Sequence, residues 1–306
     1  MKSNIVVVGS SNTDMIIKLK RIPRAGETVL GGQFLTAAGG KGANQAVAAA
    51  RAGGRVSLIA RVGRDTLGDQ AIAGFVGDGI DVSHVVRDRR SASGAALIFV
   101  AQNGENSIAV ASGANARLSP ADVKRARALI AQAKVLLTQL ETPLDTVCAA
   151  ARLAASKGAL VILNPAPARV IPGELLRYVS ILTPNESEAE MLTGGRLNGV
   201  RAVQKAAETL RRRGVQTVIL TLGTQGALIV NDQGTRRIPG FNVKAIDSTA
   251  AGDIFNGALA VALTEGQELD QAVCFANAAA AISVTRMGAQ PSAPARGAIE
   301  RFLRSH

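Results

Sequence analysis

Short apolar runs alternate with longer amphipathic segments along most of the chain. Ile5–Val8 is a run of four aliphatic residues followed by Gly9-Ser10-Ser11, a pattern typical of a strand buried on both faces. Similar runs at 135–140, 160–163, 180–183 and 217–222 each end in polar residues or glycine. Strands that alternate with helical segments predict an α/β fold with a mostly parallel sheet. Because the carboxyl ends of such strands meet at one edge, ligands are expected there.

Two stretches break this alternation. Residues 15–19 and 28–30 have strand-like patterns separated by Pro23 and Gly26, and residues 94–100 and 107–110 form a second pair joined through Asn103-Gly104. We expect the two insertions, at about 14–38 and 93–112, to form a small β-sheet lid on one domain that spans residues 1–306. Lids exclude water from reactive intermediates.

The composition excludes several kinds of site. The 306 residues can bury a sizeable core, which must be aliphatic because aromatic residues make up only 3% of the chain. Cys148 and Cys274 lie in apolar helical patterns without CxxC spacing, so we expect reduced thiols in a cytoplasmic protein. His84 and His306 are the only histidines, which argues against a histidine metal site or a catalytic triad.

The formal charge of +12 raises the question of nucleic acid. The excess arginine is scattered through helices, with Arg211-Arg212-Arg213 as the one run of three, and stacking aromatics are nearly absent. A basic surface that attracts an anionic substrate explains the charge better, so we expect no nucleic-acid partner. The apolar run after Lys2 is too short for a signal peptide, and no apolar stretch reaches the length of a membrane span, so we expect no membrane partner.

The stretch Ala250-Ala251-Gly252-Asp253 opens an apolar helical segment. Small residues at a helix start leave backbone N–H groups accessible, and the helix dipole favours an anion there. A carboxylate beside such a site would repel phosphate unless it acts as a general base on a substrate hydroxyl. The stretch therefore suggests a kinase for a small alcohol. An ordinary helix cap formed by Asp253 is the alternative.

Polar residues at two other points suit a sugar. Asn12 and Asp14 follow the first strand two residues apart, so in an extended backbone both side chains face the same way and can bind neighbouring hydroxyls; an Asx-type turn is the alternative. Lys41 and Asn44 begin a helix after glycines, but the GxxxxGK[ST] pattern of a phosphate loop is not met. Glu141 ends a strand at the expected ligand edge.

Three further segments suit a nucleotide. Asn185 and Glu188 open a helix and can order water and Mg²⁺ around ATP phosphates, although acidic residues there also complement the helix dipole. The glycine-bounded loop 221–226 can seat a nucleotide but is a weak signal alone. Asn277, inside an apolar helix at 269–285, is either a packed amide or an adenine contact.

Together these stretches resemble the ribokinase family of carbohydrate kinases. The resemblance is carried by GGKGANQA (39–46), NPAPA (164–168), TPNESEAE (183–190), TLG (221–223), AAGD (250–253) and GAQPS (288–292), which span nearly the whole chain in order. It implies a ribokinase-like three-layer α/β/α sandwich with a central, mostly parallel sheet and a small β-sheet lid. It also implies transfer of the γ-phosphate of ATP to O5 of D-ribose, with Mg²⁺.

The resemblance also implies roles for individual residues. Asp253 matches the catalytic base, and the N–H groups of Ala250, Ala251, Gly252 and Asp253 match the anion hole. The positions that match the sugar-binding set are Asn12, Asp14, Gly40, Lys41, Asn44, Glu141 and Asp253. The nucleotide positions are Asn185, Glu188, Thr221, Leu222, Gly223, Thr224, Gln225, Gly226, Gly252 and Asn277. A monovalent cation, K⁺, is expected at Asp247, Thr249, Ser283, Arg286, Gly288 and Ser292.

The resemblance further implies a homodimer formed through the β lids.

Alternative substrates and an alternative function remain open at this point. The substrate is D-ribose or another small alcohol such as deoxyribose, fructose or a nucleoside. The alternative outside the enzymes is a sugar-binding protein without catalytic activity. The Asn12 and Asp14 pair favours ribose over a 2-deoxy sugar, and the lack of stacking aromatics disfavours a nucleoside.

Overall fold

The computed structural model of the chain describes residues 5–306. The strands in this part of the chain are β1 (Ile5–Val8), β2 (Asn12–Leu19), β3 (Gln33–Gly39), β4 (Val56–Gly63), β5 (Asp81–Asp88), β6 (Gly94–Ala101), β7 (Asn106–Ala111), β8 (Val135–Thr138), β9 (Leu160–Leu163), β10 (Ile181–Leu182), β11 (Thr217–Thr221), β12 (Ala227–Asn231) and β13 (Gly234–Ile238).

The helices are α1 (Lys41–Arg51), α2 (Thr66–Gly77), α3 (Pro120–Arg125), α4 (Arg127–Ile130), α5 (Leu144–Ala155), α6 (Gly173–Leu176), α7 (Glu186–Thr193), α8 (Val200–Arg212), α9 (Ala251–Thr264), α10 (Leu269–Ser283) and α11 (Arg296–Ser305). Short 3₁₀ turns lie at Gly113–Arg117, Gly223–Gln225 and Gln290–Ser292. Helix α10 ends at Ser283, two residues before the predicted end. No helix within residues 5–306 is long and apolar enough to cross a membrane.

The central sheet has nine strands in the order β13-β12-β11-β10-β9-β8-β1-β4-β5. Neighbouring strands from β11 to β5 pair in parallel, and β12 and β13 add antiparallel strands at one edge. The predicted α/β fold with a mostly parallel sheet is confirmed. Since β1 lies beside β8, the segments that follow these two strands emerge next to each other, which sets the place of the site.

Helical layers cover both faces of the central sheet. Ile5 and Val7 pack on one side with α1, α9 and α10, whereas Val6 and Val8 pack on the other side with α5 and α8. Successive side chains of a strand point to opposite faces, so an unbroken aliphatic run fills both cores at once. The two helical layers with the sheet between them form the predicted three-layer α/β/α sandwich.

A second sheet of four strands, in the order β3-β2-β6-β7, is built from the two predicted insertions. The hairpin at Asn103-Gly104 is confirmed, since Ala101 N donates to Glu105 O (2.9 Å) at the turn. The strand predicted at 28–30 is wrong: the strand that pairs with β2 begins at Gln33. Gly31 and Gly32 have φ values of 92° and 109°, so the chain turns there, and Leu30 is 91% exposed.

Candidate functional site

A cavity of about 340 Å³ lies between the carboxyl ends of the central strands and the smaller sheet. It is lined by residues of β2, β6 and β7, by the start of α1, and by the start of α9. The structure brings most of the predicted site residues together here: Asn12, Asp14, Gly40, Lys41, Asn44, Glu141, Asn185, Glu188, Thr221, Thr249, Ala250, Ala251, Gly252 and Asp253 all line the cavity.

Asp253 lies in the first turn of α9 and is 5% exposed. Its Oδ2 accepts a hydrogen bond from Asn44 Nδ2 (3.0 Å), and its Oδ1 accepts one from Gln45 Nε2 (2.9 Å). Burial raises the pKa of this carboxyl, and the Lys41 ammonium and the two amide donors oppose that rise. The carboxylate is thus desolvated but held by donors, a state suited to a general base.

The start of α9 has an unusual backbone. Ala250 has φ 59° and ψ 12°, the left-handed region, and is the one non-glycine residue with positive φ within residues 5–306. Ala251 N donates to Ser248 O (3.2 Å), and the bonding of the helix begins with Ile254 N donating to Ala250 O (2.9 Å). The N–H groups of Gly252 and Asp253 precede that bond and lie at the positive end of the helix dipole, so they can bind an anion.

Close packing of two helices sets the position of Asp253. Gly257 lies one turn after Asp253 on the same face of α9, and a Cβ atom at Gly257 would meet Ala48 Cβ of α1 at 2.6 Å. The missing side chain lets α9 approach α1, where Asn44 lies one turn before Ala48. The amides of α1 thereby reach the carboxylate of α9.

Asn12 and Asp14 of β2 face the cavity as a donor and acceptor pair. Asn115 Nδ2 donates to Asn12 Oδ1 (2.7 Å), so Asn12 is left with its NH₂ group for a ligand. Asn115 is itself tied to Ser11, since Ser11 N donates to Asn115 Oδ1 (2.9 Å) and Asn115 Nδ2 donates to Ser11 O (3.0 Å). Burial, and then the nearby Glu141, raise the pKa of Asp14 to about 6.

Glu141 and Lys41 lie next to each other in the lining of the same cavity. Glu141 Oε2 accepts hydrogen bonds from Ser10 Oγ (2.5 Å) and from Lys41 N (2.9 Å), which joins the ends of β1 and β8 to the start of α1. Burial alone would lower the pKa of the Lys41 ammonium, but Asp253, Glu141 and Glu188 raise it. Lys41 therefore stays charged beside these carboxylates.

A second, more apolar cavity of about 250 Å³ adjoins the first. Gly223, Thr224, Gly226 and Asn277 line it, as do Phe241 from the segment after β13 and apolar residues of α9 and α10. The two cavities share Thr221, Ser248, Ala251 and Gly252, so they meet at the start of α9. The lining of the second cavity suits an apolar group, and a ligand that extends from it would reach the helix start.

Three predicted nucleotide residues have other contacts. Leu222 packs against the core, and Gln225 is exposed, with its Oε1 accepting from Arg237 Nη2 (2.7 Å); neither lines the cavities. Asn277 lines the apolar cavity, and its Nδ2 donates to Pro239 O (3.1 Å).

Asn185 and Glu188 form a capping box at the start of α7. Glu188 N donates to Asn185 Oδ1 (2.8 Å), and Asn185 N donates to Glu188 Oε2 (2.9 Å). The pKa of Glu188 lies above its usual value, mainly because the carboxyl is buried; the Asn185 N–H and Lys41 oppose that rise. Both side chains also line the first cavity, so the capping role and a role toward a ligand are compatible.

The predicted cation positions lie in two segments that hydrogen bonds join. Asp247 Oδ2 accepts from Gly288 N (2.8 Å), and Asp247 Oδ1 accepts from Thr249 N (2.9 Å) and Oγ1 (2.6 Å). The hydroxyls of Ser283 and Ser292 donate to backbone carbonyls of Ala280 and Ala289. The side chain of Arg286 is exposed. These segments therefore offer a cation mainly backbone oxygens.

Sequence reasoning missed five amide side chains at the site, of which Asn164 and Asn256 line the first cavity and three others lie behind it. Gln45, Gln139 and Asn115 are almost fully buried, at 0%, 1% and 1% exposure. A signal existed for Gln45, which is a polar residue directly after Asn44 in an otherwise apolar helix. Gln139 and Asn115 had no such signal, because their partners lie far away along the chain.

Comparison with known proteins matches the whole chain to one family. The profile of the pfkB family of carbohydrate kinases matches residues 2–296. A ribokinase of Haemophilus influenzae is 46% identical over 303 residues and 99% of each chain. A deoxyribokinase of Salmonella typhi is 37% identical over 300 residues, covering 98% of this chain and 97% of the relative.

Solved structures agree with this match. A ribokinase of Thermotoga maritima superposes with a TM-score of 0.90 at 41% identity over 99% of each chain. A ribokinase of Arabidopsis thaliana, solved with ribose and ATP, superposes with a TM-score of 0.92 at 32% identity over 99% of each chain. The predicted ribokinase-like fold is confirmed.

Proposed function

Because the chain belongs to the pfkB family of carbohydrate kinases, we propose that it transfers the γ-phosphoryl group of ATP to O5 of D-ribose, giving D-ribose 5-phosphate. One observation carries the proposal: the buried Asp253 lies at the helix start where a polar cavity and an apolar cavity meet. A sugar in the first cavity and a nucleotide in the second would bring hydroxyl and phosphate together there.

The chemistry follows from the contacts of this helix start. Asp253 accepts the proton of the O5 hydroxyl as the oxygen bonds to the γ-phosphorus, and the bond from that phosphorus to the bridging oxygen breaks so that ADP leaves. The N–H groups of Gly252 and Asp253 stabilise the charge on the transferring phosphoryl group, and the Lys41 ammonium adds positive charge nearby. A loose transition state needs mainly alignment and charge stabilisation, so the base contributes about 10²-fold to 10⁴-fold.

The polar cavity supplies complementary groups for sugar hydroxyls. Asn12 offers its NH₂ group as a donor, and ionised Asp14 accepts two hydrogen bonds. Asn44 Oδ1 is buried and has no hydrogen-bond partner among residues 5–306, so it is an acceptor that a hydroxyl would satisfy. Three fixed polar groups suit a small polyol better than a flat base.

Two cations fit the residues present. Asn185 and Glu188 line the first cavity and would hold Mg²⁺ through water molecules, and the ion would add positive charge beside the ATP phosphates. A monovalent cation such as K⁺ suits the backbone oxygens of the segments joined by the Asp247 hydrogen bonds, because these are hard ligands. It would add positive charge beside the start of α9.

The smaller sheet is proposed as a lid and as a dimer interface. Ile98, Ile108 and Val110 line the sugar cavity from this sheet, so its movement would open or close the site. Phe34 and Ile108 are 62% and 56% exposed, and β7 is an edge strand. Pairing with a second copy would cover apolar surface and an unpaired edge.

Cys148 and Cys274 form no disulfide, which fits a reducing compartment such as the cytoplasm.

A deoxyribokinase among the relatives makes deoxyribose the second candidate substrate. A panel of ribose, deoxyribose, fructose and nucleosides with MgATP, scored by kcat/KM, separates the candidates. The proposal predicts that ribose has the highest value. A higher value for another alcohol would replace ribose as the substrate, and no turnover with any of them would favour a silent sugar-binding protein.

The role of Asp253 has its own test. Asp253→Ala should lower kcat by about 10²-fold to 10⁴-fold and leave the binding of ribose and ATP nearly unchanged, because the base acts mainly in the transition state. Steady-state kinetics and calorimetry measure the two effects separately. Wild-type turnover in this variant would contradict the assignment of the base.

A further inference from the structure

Gln45 contacts the carboxylate of Asp253, the proposed base, without lining the sugar cavity itself. It is 0% exposed and lies outside the set of residues that lines the sugar cavity. Its Nε2 donates to Asp253 Oδ1 at 2.9 Å, on the carboxylate oxygen that Asn44 does not use. Gln45 can therefore act on a substrate only through residues that it contacts, and two of these, Asp253 and Asn164, line the cavity.

The chemistry of the partners sets the orientation of the Gln45 amide. An ionised carboxylate only accepts hydrogen bonds, so the amide must turn its NH₂ group toward Asp253. Its carbonyl oxygen then faces Gln139, whose Nε2 donates to Gln45 Oε1 (2.5 Å). Gln139 holds Gln45 in the orientation that keeps a donor on the carboxylate.

The same amide group is joined to the start of α9 by a second route. Gln45 Nε2 also donates to Asn164 Oδ1 (3.1 Å), and Asn164 Nδ2 donates to Thr183 O (3.1 Å). Thr183 Oγ1 donates to Asn256 Oδ1 (2.7 Å), and Asn256 Nδ2 donates to Gly252 O (2.8 Å). These bonds end on the peptide that precedes Asp253, so the carboxylate and the helix turn that carries it are held together.

We propose that Gln45 is a positioning residue that keeps Asp253 ionised and aimed at the substrate hydroxyl. This inference rests on the proposed function. Burial and the carboxylates of Glu141 and Glu188 favour the neutral form of Asp253, which cannot accept the hydroxyl proton. The Lys41 ammonium and the two amides that donate to Asp253 favour the ionised form, so loss of the Gln45 donor removes part of that support. The amide donor stabilises the ionised form without adding a charge that would compete for the phosphate.

The test is the pH dependence of kcat in two variants. Gln45→Met keeps the size of the side chain but removes the donor. The acid limb of the profile, where activity is lost as pH falls, should move up by about one pH unit, equivalent to a tenfold change in the ionisation constant of the base. The ribose KM should stay within about twofold. Gln45→Glu should move the limb further, because two adjacent carboxyl groups share one proton.

The control is Gln204→Met on α8, the same change at a half-buried glutamine whose Nε2 donates to Glu208 Oε1 (2.9 Å), because neither residue lines the sugar cavity. It should keep the wild-type acid limb. An acid limb that stays in place in both Gln45 variants, or a kcat that falls equally at every pH, would overturn the proposal, because a space-filling role has that effect.

A direct titration separates this inference from the proposed function. Difference infrared spectra of the wild type and Asp253→Asn identify the carboxyl band of Asp253, and its pKa can then be compared with that in Gln45→Met without any turnover. Absence of ribose phosphorylation by the wild type would reject the proposed function alone. An unchanged Asp253 pKa in Gln45→Met would reject the role of Gln45 alone.

Discussion

The contact between α1 and α9 at Gly257 allows a sharp test of how packing controls the site. A Cβ atom at residue 257 would lie 2.6 Å from Ala48 Cβ and 2.7 Å from both Ala49 N and Gln45 O. Carbon atoms in ordinary contact are about 3.5 Å apart or more, so Gly257→Ala requires the two helices to separate by about 1 Å. Two of the three neighbours are backbone atoms, which cannot rotate away.

The expected effects on stability and on activity differ in size. Alanine gains about 1 kcal/mol over glycine in a helix interior, whereas overpacking costs about 1 to 3 kcal/mol. The net loss in the free energy of unfolding should therefore be about 0 to 2 kcal/mol. Asp253 lies one turn away and would move from its donors on α1 by a similar distance. A misplacement of about 1 Å lowers turnover about 10²-fold.

The assay combines a coupled measurement of ADP release with urea unfolding. Gly74→Ala is the matched control, because Gly74 also lies inside a helix, α2, but a Cβ there meets nothing within 4 Å. That variant should gain about 0.5 to 1 kcal/mol and keep wild-type kcat. A Gly257→Ala variant with wild-type kcat would refute the argument that helix contact positions the base.

Two further predictions concern the sugar cavity. Burial and then Glu141 raise the pKa of Asp14 to about 6, and the ionised form is the acceptor, so ribose affinity should be full well above pH 6 and fall as pH drops through 6. Calorimetry of Asp14→Asn should give weak binding without this fall; the same pH dependence in the variant would contradict the assignment. Asn115→Leu should raise the ribose KM about tenfold with little change in kcat, because Asn12 loses the donor that orients it. An unchanged KM would show that Asn12 keeps its orientation without Asn115.

Much of the fold could be predicted from the sequence because its signals are local. The run Ile5–Val8 marks a strand buried on both faces, Asn103-Gly104 marks a hairpin, and the small residues at 250–252 mark an accessible helix start. Each of these signals depends on the chemistry of neighbouring residues. The prediction failed at 28–30. Two glycines with positive φ follow this stretch, and pairing with β2 places the strand at Gln33–Gly39 instead.

Only the tertiary structure decided in which direction individual side chains point and which residues they contact. Residues 221–226 form the predicted loop, yet Leu222 turns into the core and Gln225 to the surface. Gln45 reaches Asp253 across 208 residues of sequence, and Asn115 reaches Ser11 across 104. Such contacts depend on how closely α9 approaches α1 and on which strands lie side by side. Residue spacing specifies the period of each element, whereas the distance and rotation between elements follow from packing over the whole core.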